Sequence, residues 1–329
     1  MKKRTPSPVP GSPDWIEQRR HGIFATDAAT VTGRSPFASP WDKYQELQGT
    51  TAPKVATERM EWGNLLQPLV GQAWARKKGR KVRACPWTYW LEEGIGSHYD
   101  FDVIPEKGQP VTEILEVKTA SVYAQREWGE QDTDQVPEAY ALQAQHEIMC
   151  RPGVVRCHLA VLIGGQKLQT YVIERDEELI EDLLRIERTA LSNARAGIPP
   201  PMDGSEAASN YLRLKSPRDN GERWDLPESV EDIATTYLAA SATVKSAEEQ
   251  KNAAGNKLRD AMGDHALATG RSVKVSYRNS KDTDWTDWRA LAAQIQPLVD
   301  EASYAEAIDH NTSTKVGNRP LIVTPLEAP

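Results

Sequence analysis

Residues 114–120, ILEVKTA, decide how the rest of the sequence is interpreted. The apolar residues at the start of this stretch and its alternating pattern predict a buried β-strand. Side chains of a strand alternate between its two faces, so Glu116 and Lys118 share one face, opposite Leu115, Val117 and Thr119. Burying a charged pair costs free energy unless neighbouring groups compensate it. The pair therefore requires an explanation from the surrounding sequence.

Two acidic residues precede this strand. Asp100 and Asp102 lie in HYDFDVI, residues 98–104, a predicted strand that carries both on one face. An acidic strand followed by Glu-x-Lys on the next strand is typical of a metal-dependent nuclease. Two carboxylates from adjacent strands would hold Mg²⁺ through hard oxygen ligands, and a lysine beside them would orient the attacking water and offset negative charge on the phosphate. The triplet alone is common, and its value comes from the apolar flanks and the acidic strand.

Composition limits the other classes of protein. A hydrophobic fraction of 39% and a charged fraction of 26% are ordinary for a globular protein. No apolar run has the length of a membrane span, and MKKRTPSPVPGSPD lacks the apolar core of a signal peptide, so we expect a cytoplasmic protein without membrane contact. The three cysteines lack CxxC spacing, which argues against a disulfide framework, a zinc site or an iron–sulfur cluster.

The charge distribution is less decisive. A net charge of −7 argues weakly against a general polyanion binder. Residues 76–83, RKKGRKVR, are nevertheless basic at six of eight positions. The segment is either a solvated helix end or a patch that faces phosphates, and the sequence leaves both interpretations open.

Periodicity and chain breakers predict an α/β fold, a mixed sheet flanked by helices. A helix at 57–78 leads into three strands, a helix at 137–150, two further strands and a helix from Asp176. Residues 1–12, rich in proline, are predicted to be a flexible tail, residues 13–205 a globular domain and residues 206–329 a mainly helical accessory region. That region has a long helix with a heptad seam, Asp225 as a candidate N-cap, short strands including RPLIVT, and a second helix at about 284–307.

Six segments together resemble one family. They are, in chain order, DWIEQRRHGIFATDAA, EWGNLLQPLV, HYDFDVI, ILEVKTA, AYALQAQHEIM and YVIERDEELI, over residues 13–198. They are similar to the lambda-exonuclease-like, YqaJ-type viral recombinases of the PD-(D/E)XK nuclease superfamily. The resemblance implies a Mg²⁺-dependent DNA exonuclease of phage or prophage origin, with Mn²⁺ as a substitute, in a bacterial host cytoplasm. It also implies that the enzyme degrades one strand of linear duplex DNA from a 5′ end and leaves 3′ single strands.

The resemblance further implies partners and residue roles. The partners would be double-stranded DNA ends, a single-strand annealing protein and further copies of the chain, since relatives form ring trimers. Asp100 and Glu116 correspond to metal ligands, joined by the Val117 carbonyl, and Lys118 to the catalytic lysine. Gln143 corresponds to a glutamine on the helix that follows the core strands.

Other residues carry weaker expectations. Asp102 is the alternative to Asp100, which we prefer because the acidic residue of the family precedes an x-x-aliphatic run. Tyr140 lies one turn before Gln143 on the same helical face, as Glu147 does one turn after it, and Tyr140 is a candidate DNA contact. Relatives usually carry Glu where Gln67 stands, so a second metal at this cleft position is in doubt.

Trp15 and Arg19 match a W-x-x-x-R pattern, and Thr26 falls where the family often has Ser. In relatives this region holds the 5′-terminal phosphate, a role that suits a guanidinium and a hydroxyl. The alternatives are a surface ion pair for Arg19 and core packing for Trp15. An endonuclease or repair nuclease of the same superfamily, and a DNA-binding or assembly protein with a reduced active site, also remain open.

Overall fold

The computed structural model describes residues 3–50, 57–279 and 287–311. The chain forms two compact units, Met1–Lys215 and Ser216–Pro329. The first unit extends ten residues beyond the predicted boundary at 205 because helix α7, Glu206–Lys215, packs Ala207 and Ala208 against buried Trp41. None of the helices in the described ranges has both the length and the apolar character to cross a membrane.

The first unit contains seven helices and eight strands within the described ranges. The helices are α1 Pro13–Arg20, α2 Ala28–Val31, α3 Pro40–Leu47, α4 Glu58–Lys78, α5 Glu138–Cys150, α6 Glu177–Arg195 and α7. The strands are β1 Lys3–Pro6, β2 Lys81–Ala84, β3 Trp87–Glu92, β4 Ile95–Ser97, β5 Phe101–Ile104, β6 Glu113–Ala120, β7 Arg156–Ile163 and β8 Lys167–Glu174.

Five strands form the central sheet, in the order β2-β5-β6-β7-β8. Strands β2, β5 and β6 pair antiparallel, with β3 and β4 of the smaller sheet inserted between β2 and β5 in the chain, and β8 returns antiparallel to β7. Strand β7 runs parallel to β6, so the chain must cross over the sheet between them, and helix α5 lies in that crossover. The predicted mixed sheet flanked by helices is therefore confirmed.

The two faces of β6 pack against different helices. Leu115 and Val117 contact a cluster that includes Val70 and Trp74 of α4. Ile114 faces the other side of the sheet, in the cluster that contains Ile148 of α5. Alternation along the strand therefore directs Glu116 and Lys118 towards α5.

A smaller sheet, β1-β3-β4, corrects two predictions. Residues 81–90 were expected to form one strand, but the chain breaks at Cys85 and Pro86, since proline cannot donate to a ladder, and β2 and β3 join different sheets. The expectation of a flexible tail at 1–12 is wrong for residues 3–6, which pair antiparallel with β3. This pairing depends on contacts distant in sequence, so the local composition could not predict it.

Within the described ranges the second unit contains α8 Glu228–Met262, β9 Leu267–Thr269, β10 Lys274–Ser276, α9 Trp288–Ile295 and α10 Glu301–Asn311. The predicted long helix is present, but Pro227 and not Asp225 occupies its N-cap. The helix expected at 284–307 is interrupted by a 3₁₀ turn at Gln296–Leu298, because Pro297 lacks the N–H that a continuous helix needs. The predicted strand at 319–324 lies outside the described residues.

Candidate active site

The charged pair on β6 is one part of a larger buried cluster. Lys118 Nζ donates to Glu116 Oε1 over 2.7 Å. Gln143 of α5 donates from the same Nε2 to Glu116 Oε1 at 2.7 Å and to Glu147 Oε1 at 2.8 Å. Because Gln143 and Glu147 are one helical turn apart, α5 presents both to the strand. The sequence expectation that Glu116, Lys118 and Gln143 meet holds in the geometry.

Asp100, the residue immediately before β5, joins this cluster. Its Oδ2 accepts a hydrogen bond from the Val117 backbone N–H at 2.7 Å, and its Oδ1 accepts one from Gln67 Nε2 at 2.5 Å. Gln67 reaches Asp100 because α4 lies close on the sheet: a Cβ at Gly71, one turn later, would stand 2.7 Å from ring carbons of Phe101. We call Asp100, Glu116, Lys118, Gln143 and Glu147 the carboxylate centre.

Negative charge exceeds positive charge in the carboxylate centre. Burial and the nearby charge of Glu116 raise the pKa of Asp100 well above its usual range, and the same two causes raise the pKa of Glu147. Burial opposes the charge of Lys118, but Glu116, Glu147 and Asp100 outweigh it and raise the pKa of the ammonium. One cation thus faces three carboxylates, an arrangement that favours a further cation.

The residues present fit a divalent metal ion. Glu116 Oε2 is buried and has no hydrogen-bond partner, so it is an acceptor that a cation would satisfy. Within the described ranges no three His, Cys, Asp or Glu side chains converge on one point as a ready-made cage. Mg²⁺ does not need one, because it keeps several waters and binds through one or two carboxylates. Asp100 and Glu116 are the side chains that would hold it, and the Val117 carbonyl stays a predicted third ligand.

Asp102 lies outside this centre. In the pairing of β5 with β6, Asp102 lies opposite Ile114, two residues before Glu116 on β6. Its carboxylate accepts hydrogen bonds from Tyr99 and Arg83, both at 2.8 Å. These two donors hold the Asp102 carboxylate away from the carboxylate centre, and its expected role in the metal cleft stays a prediction.

Tyr140 lies beside the catalytic lysine candidate. The Lys118 ammonium is 5.4 Å from the centre of the Tyr140 ring, within the range of a cation–π interaction. The Tyr140 ring also stacks on Trp128, with ring centres 5.3 Å apart. Tyr140 therefore restrains Lys118, and its expected contact with DNA stays a prediction.

The other predicted site surrounds Arg19. The guanidinium lies 5.2 Å from the Trp15 ring centre and donates to Thr26 Oγ1 at 3.3 Å, so the three predicted phosphate-binding residues do meet. Arg19 also pairs with Asp27 at 2.5 Å and with Glu46 at 3.0 Å. A phosphate would have to compete with these two carboxylates for the guanidinium.

Lys43 completes this second group. Its ammonium is 2.9 Å from Asp27 and 2.7 Å from Glu46. We call Arg19, Asp27, Lys43 and Glu46 the Arg19 cluster: two cations and two carboxylates. Although burial opposes ionisation, Arg19 and Lys43 hold the pKa of Asp27 below its usual range. Role assignments for Arg19, Thr26 and Trp15 stay predictions.

Several functional or supporting residues were missed from the sequence. Glu147 was noted on the face of Gln143 but not as part of the site, although its spacing was the available signal. Asp27, Lys43 and Glu46 had no such signal, because their contacts join α1, α3 and the turn before α2. In the basic segment 76–83, four side chains have partners within the protein, which favours the solvated helix end. These pairs are Lys77 with Gln131, Lys78 with Asp132, Arg80 with Glu113, and Arg83 with Asp102.

Residues 14–151 match the model of the YqaJ-like viral recombinase domain. These residues carry a YqaJ-like viral recombinase domain. This match confirms the YqaJ-type resemblance inferred from the sequence, and the YqaJ-like domain includes the whole carboxylate centre and the Arg19 cluster.

Individual relatives extend beyond the YqaJ-like domain. The protein YqaJ of Bacillus subtilis (strain 168), whose function is uncharacterised, is 29% identical over 257 residues, which is 76% of this chain and 78% of YqaJ. Among solved structures, an alkaline exonuclease from Laribacter hongkongensis is similar with a TM-score of 0.44 and 16% identity, over 62% of this chain and 97% of that one. A phage related exonuclease from Haemophilus somnus 129PT has a TM-score of 0.41 and 12% identity, over 60% and 97%.

Proposed function

We propose that this protein is a metal-dependent deoxyribonuclease that hydrolyses one strand of linear duplex DNA from the 5′ end. The observation that carries the proposal is the buried Glu116–Lys118 ion pair, with Asp100 bound to the Val117 N–H between them and one oxygen of Glu116 left without a partner. The match to a viral recombinase domain supports a DNA substrate and a role in recombination. The 3′ single strands would serve a single-strand annealing protein.

Each residue of the centre has a distinct task in this proposal. A divalent ion, when bound, would polarise the phosphate and lower the pKa of a water. Lys118, held by Glu116 and Tyr140, orients the attacking water and offsets negative charge that develops on the phosphate. Gln143 fixes Glu116 Oε1, so that the unpaired Oε2 keeps one direction.

The preference for a 5′ end rests on Trp15, Arg19 and Thr26. A 5′-terminal phosphate would replace part of the carboxylate pairing of Arg19 and accept from the Thr26 hydroxyl. A hydrogen bond to a charged group contributes roughly 1.5–3 kcal/mol, so 5′-phosphorylated ends should be cleaved about ten- to a hundredfold faster than 5′-hydroxyl ends. Equal cleavage rates on 5′-phosphorylated and 5′-hydroxyl ends would contradict a binding site for the terminal phosphate.

The test of activity compares the wild type with Lys118→Ala on linear duplex DNA in Mg²⁺. The variant should lose about 10² to 10⁴ in rate and keep DNA binding, because the lysine acts on the chemical step. In Ca²⁺ the wild type should bind DNA without efficient turnover, since Ca²⁺ accepts looser geometry. Cleavage by Lys118→Ala at the wild-type rate would exclude the lysine from the mechanism.

Circular DNA separates the two alternative functions. An exonuclease leaves covalently closed circles intact, whereas an endonuclease of the same superfamily cuts them. Binding without cleavage of either substrate would favour a DNA-binding protein, for which the neutral Gln67 next to Asp100 is the supporting observation.

A further inference from the structure

Helix α8 exposes four large apolar side chains along one seam. The helix has 35 residues, about 52 Å, and Met262 is its one buried residue. Ile233, Tyr237, Val244 and Leu258 are exposed. They belong to a seam of alternating steps of three and four, which is the spacing of a coiled coil. The seam consists of Val230, Ile233, Tyr237, Ala240, Val244, Ala247, Lys251, Ala254, Leu258 and Ala261.

The two positions of this heptad differ in size. The first position of each heptad carries Val230, Tyr237, Val244, Lys251 and Leu258. The fourth position carries Ile233 once and then alanine four times. A partner helix must therefore offer bulk where this helix has alanine, and space where this helix has Tyr237, because a packed interface leaves no voids.

A second copy in parallel orientation cannot meet this requirement. Equivalent positions face each other in a parallel pair, so Tyr237 would oppose Tyr237 and alanine would oppose alanine. Lys251 would also oppose Lys251 inside the seam, and two like charges at an interface repel each other. A parallel pair would therefore leave voids at the alanine layers and steric overlap at the Tyr237 layer.

A second copy in antiparallel orientation fits. First positions then oppose fourth positions, and almost every large residue faces an alanine. Lys251 faces Ala240 and keeps Glu248, one turn earlier on its own helix, as an oppositely charged neighbour. The facing layers are Val230 with Ala261, Ile233 with Leu258, Tyr237 with Ala254, Ala240 with Lys251 and Val244 with Ala247.

The residues beside the seam agree with this orientation. Ala234, Ser241 and Gly255 are small and uncharged, so two helix backbones can approach closely. At the ends, the acidic residues Glu228 and Glu231 of one helix would lie near the basic Arg259 of the other. Two antiparallel helices also align their dipoles favourably.

We propose that α8 pairs in antiparallel orientation with α8 of a second copy of this chain. The pairing has two-fold symmetry, so it closes as a dimer contact and does not propagate into a filament. It is independent of the proposed nuclease activity, since it uses no residue of the YqaJ-like domain.

Disulfide trapping in the full chain tests the orientation. Ile233→Cys and Leu258→Cys variants are mixed in equal amounts, oxidised mildly and compared with each variant alone and with the wild type, which controls for the native cysteines. Only the mixture should give a 233–258 disulfide, identified by peptide mass. Positions 233 and 233 of an antiparallel pair lie about 37 Å apart. Self-linking of each variant alone would overturn the antiparallel arrangement.

Sedimentation equilibrium of the full chain tests the pairing itself. Val244→Glu places an uncompensated charge in the seam and should weaken self-association by about a hundredfold. Ala242→Glu, on the outer face of the same helix, is the matched control and should associate like the wild type. A wild type that stays monomeric at tens of micromolar, or a Val244→Glu variant that associates like the control, would overturn the proposal.

Discussion

Two buried groups of charged side chains in the first unit differ in how completely their charges are paired. In the Arg19 cluster, Asp27 accepts from both Arg19 and Lys43, and these cations also bind Glu46. The carboxylate centre has a single ammonium for three carboxylates, and Glu116 Oε2 has no partner. The pKa of Asp27 accordingly falls, whereas the pKa values of Asp100 and Glu147 rise.

The difference indicates what each group does for the protein. Balanced pairing stabilises the fold, because it joins α1, α3 and the turn before α2. Unbalanced negative charge destabilises the folded state unless a cation arrives, so its presence in a buried site is evidence for binding and not for packing. We therefore infer that the paired charges of the Arg19 cluster mainly stabilise the fold, with Arg19 also available to a 5′-terminal phosphate, and we propose that the carboxylate centre binds a cation.

The largest expected effect comes from removing Asp27, the carboxylate that pairs with both cations of the Arg19 cluster. Asp27→Ala leaves Arg19 and Lys43 with one carboxylate between them, and it should lower the free energy of unfolding by about 3–5 kcal/mol. Urea denaturation measures the change. Glu138→Gln, an exposed change on α5, is the control and should stay within about 0.5 kcal/mol of the wild type.

The pH dependence of that difference is a second check on the same prediction. The folded-state pKa of Asp27 is lowered, so its contribution is fully present above the unfolded value of about 3.9 and is lost as the pH falls towards the folded value. The gap between wild type and Asp27→Ala should therefore be wide at pH 7 and narrower near pH 2.5. A gap that does not narrow would mean that Asp27 acts through packing alone.

Much of the carboxylate centre was predictable, and the reason is local. Alternation along β6 placed Glu116 with Lys118, and helical spacing placed Gln143 with Glu147. The choice of Asp100 over Asp102 needed the family motif, because alternation gives both the same face. Arg83 and Tyr99, which remove Asp102 from the centre, come from elements that the sequence could not position.

Elements with a local sequence pattern were predicted, and elements that depend on contacts distant in sequence were not. Strands β5 to β8 and helices α4 and α5 follow from the apolar periodicity and the chain breakers within each segment. Strand β1 has no such pattern, and it forms because its backbone pairs with the edge of β3. In the Arg19 cluster, Arg19 likewise binds residues 8 and 27 positions further along the chain, and no local sequence pattern predicts these contacts.

A second variant tests whether Glu147 of the carboxylate centre supports cleavage or stabilises the fold. Glu147 accepts from Gln143, which also holds Glu116, so Glu147→Leu frees the Gln143 amide to turn away. Partners of metal ligands typically contribute ten- to a hundredfold, so kcat for DNA cleavage should fall by that factor. The free energy of unfolding should rise, because a buried excess carboxylate is removed. Loss of stability together with activity would mean that Glu147 is structural.

The smallest expected effect concerns Gln67. Its amide donates to Asp100 and contributes no charge. Gln67→Glu would add a carboxylate beside Asp100, so the Mg²⁺ concentration for half-maximal cleavage should fall by about threefold to tenfold. Asn64→Asp, one turn earlier on α4, controls for an added charge on the same helix. If cleavage depends on Mg²⁺ concentration in the same way for Gln67→Glu and the wild type, Gln67 does not contribute to metal binding.

The most direct measurement is a calorimetric titration of the full chain with Mn²⁺ in the absence of DNA, for the wild type and for Glu116→Gln. If unpaired negative charge marks a metal site, the wild type binds Mn²⁺ and Glu116→Gln loses at least about tenfold in affinity. The variant should also unfold at a higher urea concentration than the metal-free wild type, because it relieves the repulsion among the three carboxylates. Equal Mn²⁺ affinity in the two proteins, or no binding by the wild type, would contradict the assignment of the carboxylate centre.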